Sequence, residues 1–157
     1  MALGRRNDER QTELWVATPN LPVAPGHAFY VKLNQLLAEG GFDEWIEGLC
    51  EPHYAKSGRP SIPPGVYFRM LLVGYFEGID SQRGIAWRCA DSLALRQFLG
   101  VPLDQATPDH SSMTNTRKRL PPEVFQEAFQ GSTLQADPQT VELLPRHCYS
   151  NLDVREH

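Results

Sequence analysis

The sequence has no run of eighteen apolar residues, the shortest stretch expected of a transmembrane helix, so it predicts no membrane span. Its N-terminus, MALGRRNDERQTE, contains two arginines but no apolar stretch behind them, which excludes a secretory signal peptide. A chain with neither feature is expected by default to be cytoplasmic and to have no membrane partner.

Cysteine is scarce, and its three residues, Cys50, Cys89 and Cys148, stand far apart. An odd number at wide spacing predicts reduced thiols rather than a disulfide framework. Cys50 and His53 form one C-x-x-H pair, but no second pair completes a zinc site. The sequence therefore predicts no metal site, and no cofactor is expected in this chain.

Catalytic signatures are also missing. Asp91, Asp104 and Asp109 are each explained as helix-end or loop residues, and neither His53 nor His110 has an evident nucleophile partner. The stretch GRPSIPPG lacks the Gly-Lys-Ser/Thr ending of a phosphate-binding loop. We therefore predict no catalytic residue in this sequence.

One strongly apolar segment stands among shorter amphipathic ones. Residues 66–79 include only Arg69 and Glu77 as charged side chains, with Pro64 suited to a first helical turn and Gly78 to a helix end. A helix that is apolar on nearly all sides is buried. We therefore predict a central core helix over residues 64–79, with a buried strand as the alternative.

The predicted fold class is all-α, with a compact multi-helix domain over residues 26–130, a flexible N-terminal arm at 1–25 and a loosely ordered tail at 131–157. Thirteen prolines and twelve glycines imply short elements in a chain of one-domain length. Apolar spacing and end signals predict helices over 26–39, 42–50, 64–79, from an Asp80 or Ser81 cap to about Ala90, from a Ser92 cap to Gly100, over 108–120 after a Thr107 cap, and over 122–130.

Charge is distributed unevenly along the chain. The net charge is −4, but residues 56–119 contain nine cations and five anions, so the remainder must carry a net charge of −8. Local rather than total charge sets the attraction for phosphates. The asymmetry is therefore compatible with nucleic-acid binding.

The predicted helix 108–120 is rich in hydroxyl, amide and cationic side chains. Met113 and Leu120 are its only apolar residues, and serine, threonine and asparagine have poor helix propensity. This composition favours a surface that contacts a ligand. Part of the cationic cluster at 117–119 has another explanation, because cations near a helix C-terminus gain about 0.3–1 kcal/mol from the helix dipole.

Residues 81–120 are interpreted as a helix-turn-helix-like DNA-binding unit whose helix 108–120 enters the major groove. The candidates for base edges are Ser112, Asn115 and Arg119, and those for phosphates are Arg117, Lys118, Arg83 and Arg88. The alternative is an ordinary helical domain with a basic surface helix. The seven-residue gap before Pro108 exceeds the turn of a standard helix-turn-helix, which favours that alternative.

Several motifs occur in a fixed order: GRP-x-x-P-P, a hydrophobic helix, S-x-R-x-I-A/E-x-R, S-L-x-x-R-x-F-L-G, and P-D-H-S-S/T followed by R-K-R-L. In this order they resemble the N-terminal, helical DNA-binding domain of bacterial insertion-sequence DDE transposases. The resemblance covers about Phe29 to Phe129.

That resemblance implies binding to double-stranded DNA at the terminal inverted repeats of the element, and association with itself or with full-length transposase. In the family, a downstream RNase-H-like domain performs transposition with three carboxylates that bind divalent metal. The chain stops where that domain would begin, so we expect a truncated form without its own strand-transfer activity, and a divalent metal only in the missing catalytic domain. A protein-interaction module, a non-functional remnant, and a catalytic part supplied in trans or by frameshifting remain open.

Overall fold

The computed structural model describes residues 26–55, 57–58 and 61–134, which form seven α-helices and one short 3-10 turn and contain no strand. The predicted all-α fold is confirmed. The helices are α1 (Ala28–Glu39), α2 (Phe42–Cys50), α3 (Pro64–Glu77), α4 (Gln82–Asp91), α5 (Leu93–Leu99), α6 (His110–Arg119) and α7 (Pro122–Leu134), with the 3-10 turn at Glu51–His53. The predicted arm at 1–25 and residues 135–157 of the predicted tail lie outside the described residues. None of the described helices is both long and apolar enough to span a membrane.

Helix α3 lies at the centre of the core, as its apolar sequence predicts. Tyr67, Phe68, Met70 and Val73 are at most 1% exposed, and α3 packs against α2, α4 and α5. The strand alternative is wrong, because the segment is long enough for nearly four helical turns and can bury several sides at once. The helix ends at Glu77, two residues before the predicted end, and is followed by Gly78, whose φ of +66° is the left-handed conformation that favours glycine at a helix C-terminus.

Helices α3 and α4 approach each other closely at Gly74. A Cβ atom built on this residue would lie 2.8 Å from Ile85 Cγ1 and 3.1 Å from the Ile79 carbonyl oxygen. Neither distance leaves room for a methyl group without movement of the backbone or of the buried Ile85 side chain. Because Gly74 has no side chain, α4 can lie this close to the core helix.

A buried arginine connects four helices. Arg69, on α3 and 5% exposed, donates from Nε and Nη2 to the two carboxylate oxygens of Asp43 on α2, at 3.0 and 2.8 Å. Its Nη1 donates to Asn34 Oδ1 on α1 at 2.6 Å and to the Phe98 carbonyl oxygen on α5 at 3.1 Å. The same guanidinium lies 5.2 Å from the centroid of the Phe98 ring. Because a buried charge is stable only when it is paired and hydrogen-bonded, these contacts fix Arg69 inside the fold.

Side-chain caps begin three of the helices. Ser92 accepts a hydrogen bond from a backbone N–H group at the start of α5, as predicted, and Ser81, one of the two predicted candidates, does so at the start of α4. The predicted Thr107 cap and Pro108 start of the next helix are wrong, since α6 begins at His110 and its cap is Asp109. The Asp109 carboxylate accepts from the Ser112 backbone N–H at 2.7 Å, and its charge also suits the positive end of the helix dipole.

The last described helix is longer than predicted. Helix α7 continues four residues past the predicted end at about Gln130, to Leu134. Val124, Phe125 and Ala128 of this helix are buried, and the Phe125 ring lies 5.6 Å from that of Phe68 on α3. These contacts close the core on the side of α2 and α3.

We predict that the Asp43–Arg69 pair is asymmetric. Asp43→Ala leaves a buried cation without its counterion and should cost about 3 kcal/mol of the free energy of unfolding. Arg69→Met should cost less, about 1–2 kcal/mol, because the half-exposed Asp43 carboxylate can turn to water. Urea unfolding of both variants and of the double variant measures these values, with Glu44→Ala on the exposed side of α2 as the control. Equal and additive losses from the two single changes would contradict this asymmetry.

We predict that capping by Asp109 depends on pH. Hydrogen bonds from Ser112 hold the Asp109 pKa below its ordinary value of 3.8, so the carboxylate stabilises the fold above that pH and loses this contribution as the pH falls through the folded-state pKa. Asp109→Ala should lower the melting temperature at neutral pH, whereas Asp109→Asn, which keeps an accepting oxygen, should lower it less and remove part of the acid dependence.

Thermal unfolding followed by circular dichroism at neutral and acid pH tests this. Ser92→Ala is the control, since it removes an uncharged cap and should cause the same loss at both pH values. An Asp109→Asn variant with unchanged acid dependence would show that the Asp109 carboxylate has no such role.

Candidate nucleic-acid interface

Helix α6 is attached to the domain mainly through α4. Met113 and Thr116 are at most 1% exposed, and Leu120 directly after the helix is 4% exposed, so these three residues form the side that packs on the core. The Thr114 hydroxyl lies 2.6 Å from Gln82 Oε1 on α4 and 2.8 Å from the His110 carbonyl oxygen. The predicted apolar stripe of Met113 and Leu120 is therefore present, but the burial of Thr116 widens it.

Hydroxyl groups on α6 serve the helix itself more than the sequence suggests. The Thr116 hydroxyl donates to the Ser112 carbonyl oxygen at 3.0 Å, one turn back along the helix. The Ser112 side chain hydrogen-bonds Asp109, and this bond is the main reason that the Asp109 pKa is lowered. Such local bonds compensate the poor helix propensity of these residues. Ser112, predicted to contact a base edge, is thus half-buried and engaged at the helix cap.

The exposed face of α6 consists of Ser111, Asn115 and Lys118, which are spaced i, i+4 and i+7 and so lie along one side of the helix. Arg117 is also exposed, but it lies roughly 100° around the helix from Lys118, on the flank between this row and the buried side. We call these four residues the α6 face. It includes three of the predicted contact residues, Asn115, Arg117 and Lys118, together with Ser111 in place of Ser112.

Arg119 is exposed but engaged. Its Nη1 donates to Ser61 Oγ at 3.1 Å, and its guanidinium lies 4.7 Å from the centroid of the Tyr54 ring. Tyr54 follows α2 and Ser61 precedes α3. Arg119 therefore holds the end of α6 against both ends of the segment that connects α2 to α3. This geometry suits a positioning role better than the base contact that the sequence predicts.

The two arginines predicted on α4 differ. Arg83 is exposed, and no ion pair involves it within the described part of the chain. Arg88 donates from Nε to Glu77 Oε2 at 2.6 Å, and this hydrogen bond raises the arginine pKa. Glu77 Oε1 also accepts from the Tyr30 hydroxyl at 2.9 Å, so Arg88 belongs to a contact among α1, α3 and α4.

A groove that the sequence does not predict runs between α4 and the start of α6. Its volume is about 660 Å³, and its walls include Arg83, Trp87 and Ala90 on one side and Thr107, Pro108 and His110 on the other. Trp87 is 79% exposed. The helical periodicity of α4 contains the signal for this exposure, because Ile85, Ala86 and Cys89 face the core and Trp87 falls on the opposite side.

Arg96 determines the path from α5 to α6. Its Nη2 donates to the carbonyl oxygens of Pro102, Leu103 and Gln105, at 2.8 Å for Pro102. Ten residues, 100–109, separate the two helices, more than the three or four of a helix-turn-helix turn. The predicted helix-turn-helix-like unit therefore remains a prediction.

Metal-ligating and thiol groups in the described residues bear on catalytic chemistry. They contain no group of three or more His, Cys, Asp or Glu side chains that could hold a metal ion. Burial raises the pKa of the Cys50 thiol to about 11 and that of Cys89 to about 12, so both are protonated and unreactive at neutral pH.

The family of this chain follows from comparison with known proteins. No curated protein and no solved structure matches the chain significantly. A family model described as a transposase domain, DUF772, matches residues 21–119, a segment that includes α1 to α6 and ends at the last residue of α6. Because the match covers well over half of the chain, this protein belongs to the DUF772 transposase domain family.

Proposed function

We propose that this domain binds double-stranded DNA at the terminal inverted repeats of an insertion sequence, with α6 as its main contact element. The observation that carries the proposal is the α6 face: an amide, a hydroxyl and two cations that the fold leaves exposed on a helix docked firmly by its opposite side. A transposase must recognise the ends of its element, so membership of this family agrees with such a surface.

The residues of the α6 face divide into two kinds by their chemistry. Asn115 is suited to a base edge, because an asparagine amide can make paired hydrogen bonds with adenine in the major groove, giving about 1–3 kcal/mol of discrimination. Arg117 and Lys118 are suited to phosphates, which position a protein on DNA without reading its sequence. Arg83 on α4 would add a phosphate contact beside the helix.

The basic stretch provides fewer DNA contacts than its composition suggests. Arg69 is buried on Asp43, Arg88 pairs with Glu77, and Arg96 binds loop carbonyl oxygens. The proposal therefore rests on the local arrangement of Arg117, Lys118 and Arg83, whose attraction for phosphate is expected to be strongly dependent on salt.

We predict that removing the cations of α6 and removing its amide change DNA binding in different ways. Lys118→Ala should lower the slope of log affinity against log salt by about 0.9, and Arg117→Ala/Lys118→Ala by about 1.8, with equal losses on all DNA sequences. Asn115→Ala should leave the salt slope unchanged and reduce the preference for the element's own ends by about 5- to 150-fold. Fluorescence anisotropy with end-sequence and scrambled duplexes measures both effects.

Lys32→Ala is the matched control, since it removes one exposed cation from α1 and should change neither quantity. Arg119 stays unchanged in these variants because it contacts Ser61 and Tyr54. Salt-independent affinity of the unmodified protein, or equal effects of Lys32→Ala and Lys118→Ala, would exclude the proposed interface.

A second candidate function is that of a protein-interaction module, which pairs with itself or with intact transposase. A non-functional remnant could make the same contacts. Phe29 and Val31 lie on different sides of α1 and are 41% and 55% exposed, so each side leaves apolar area for such contacts. Two expectations from the family resemblance stay predictions. One is that this chain has no strand-transfer activity of its own, and the other is that a divalent metal binds only to a separate catalytic domain.

We predict that any self-association through α1 is separable from DNA binding. Phe29→Ser/Val31→Ser should abolish association measured by light scattering, because it removes the exposed apolar area, and should leave affinity for end-sequence duplex within about twofold. Leu93→Ser, which changes an exposed leucine on α5, is the control. A strictly monomeric protein that binds DNA alone would exclude the interaction module.

A further inference from the structure

We propose that the groove between α4 and the start of α6 binds one unstacked nucleotide of the DNA, with the base against the Trp87 indole and the phosphate at Arg83. This inference rests on the proposed DNA-binding function and adds a second contact to it. It assigns to the domain a preference for DNA that contains an unpaired base over fully paired duplex.

The exposure of Trp87 has no explanation in the packing of the fold. Trp45 on α2, by comparison, is partly buried and its ring lies 6.2 Å from that of Phe42. Trp87 is 79% exposed on the side of α4 opposite its buried residues, and no ring contact involves it within the described residues. A large aromatic surface left in water at this position is available to a ligand.

The spacing of Arg83 and Trp87 matches the two parts of a nucleotide. Residues four apart on a helix are neighbours on one face, so the guanidinium and the indole extend into the same groove. Gly84 and Ala90, which also line it, are too small to cover the indole. A base can stack on an aromatic ring while an arginine contacts the adjoining phosphate, which is the usual chemistry of sequence-tolerant single-strand contacts.

The size and position of the groove agree with such a ligand. Its volume of about 660 Å³ falls within the range of small-molecule sites, roughly 300–1,000 Å³. His110, the first residue of α6, forms part of its wall, so the groove opens beside the first turn of the helix that carries Ser111 and Asn115. DNA held by the α6 face would therefore pass close to Trp87.

The charges around the groove favour phosphate on the α4 side. Asp109 lies at the α6 side, where its carboxylate is occupied as the helix cap, and its negative charge would repel a phosphate there. Arg83 is the exposed cation on the opposite wall. These positions set an orientation in which the phosphate faces α4 and the base reaches into the groove.

A nucleotide fits this groove better than a protein segment does. Protein partners anchored at a tryptophan normally bury further apolar side chains around it. The other large apolar side chains that are exposed among the described residues are Phe29, Val31, Leu93 and Leu103, and none of them lines this groove. Its borders combine the polar residues Ser81, Arg83, Thr107 and His110 with small apolar residues around Trp87.

The test compares three DNA ligands that share one end sequence: a full duplex, the same duplex with a single unpaired base, and that ligand with an abasic residue at the unpaired position. The full-length chain should bind the unpaired-base ligand about 10-fold more tightly than the other two. Trp87→Ala should remove that preference and leave affinity for the full duplex unchanged, while Trp87→Phe should keep most of it.

The losses of affinity caused by removing the base and by removing the indole should not be additive, because each change removes the same stacking contact. Leu93→Ala is the control for loss of an exposed apolar side chain outside the groove, and it should have no effect on any ligand. Circular dichroism of each variant verifies folding, and the abasic ligand tests the contact without altering the protein.

Three outcomes overturn the inference in distinguishable ways. If the unmodified protein binds the three ligands with equal affinity, the nucleotide site is rejected and the proposed function of α6 is unaffected. Binding to none of them rejects the proposed function itself. A Trp87→Ala variant that changes light scattering but no DNA affinity assigns the groove to a protein partner.

Discussion

The guanidinium of Arg69 is the constraint on which the arrangement of the helices depends. Apolar packing around α3 is strong but has no direction, since leucine or phenylalanine side chains gain similar energy in many arrangements. A buried guanidinium has fixed donor directions, and here they require oxygens from α1, α2 and α5 at specific positions. The core therefore has one polar junction that defines how α1, α2 and α5 sit around α3.

The candidate interface is positioned from this junction by a short series of contacts. Gly74 allows Ile85 of α4 to lie close to α3, and Glu77 binds Arg88 one turn further along. Helix α4 in turn carries α6 through the buried residues of α6 and the contact of Thr114 with Gln82. Rigid attachment matters for recognition, because hydrogen bonds to base edges depend on geometry at the ångström scale. The α6 face and the Trp87 groove share this support.

Cationic residues in this protein have two different uses that their sequence positions do not distinguish. Arg69, Arg88, Arg96 and Arg119 all bind oxygens or rings of the protein itself. Arg83, Arg117 and Lys118 extend from the surface. A net positive stretch is thus a mixture of cations held by the protein's own groups and cations without such contacts, and only the second kind is free to make a direct phosphate contact. The proposed function depends on that smaller group.

The sequence by itself determined the helical fold class, the central helix α3, the Ser92 cap and the polar character of α6, and it narrowed the cap of α4 to Asp80 or Ser81, because hydrophobic periodicity and capping chemistry are local properties. It could not determine the Asp109 cap against the competing Thr107–Pro108 signal, nor the extension of α7 to Leu134, because local signals of similar strength conflict at helix ends. Only the tertiary structure decided which cations are engaged, that Ser112 serves the cap while Ser111 is exposed, and that Trp87 stands in a groove beside α6. These features depend on residues distant in sequence, such as Asp43 with Arg69 or Ser61 with Arg119, and no local pattern specifies which distant residues come into contact.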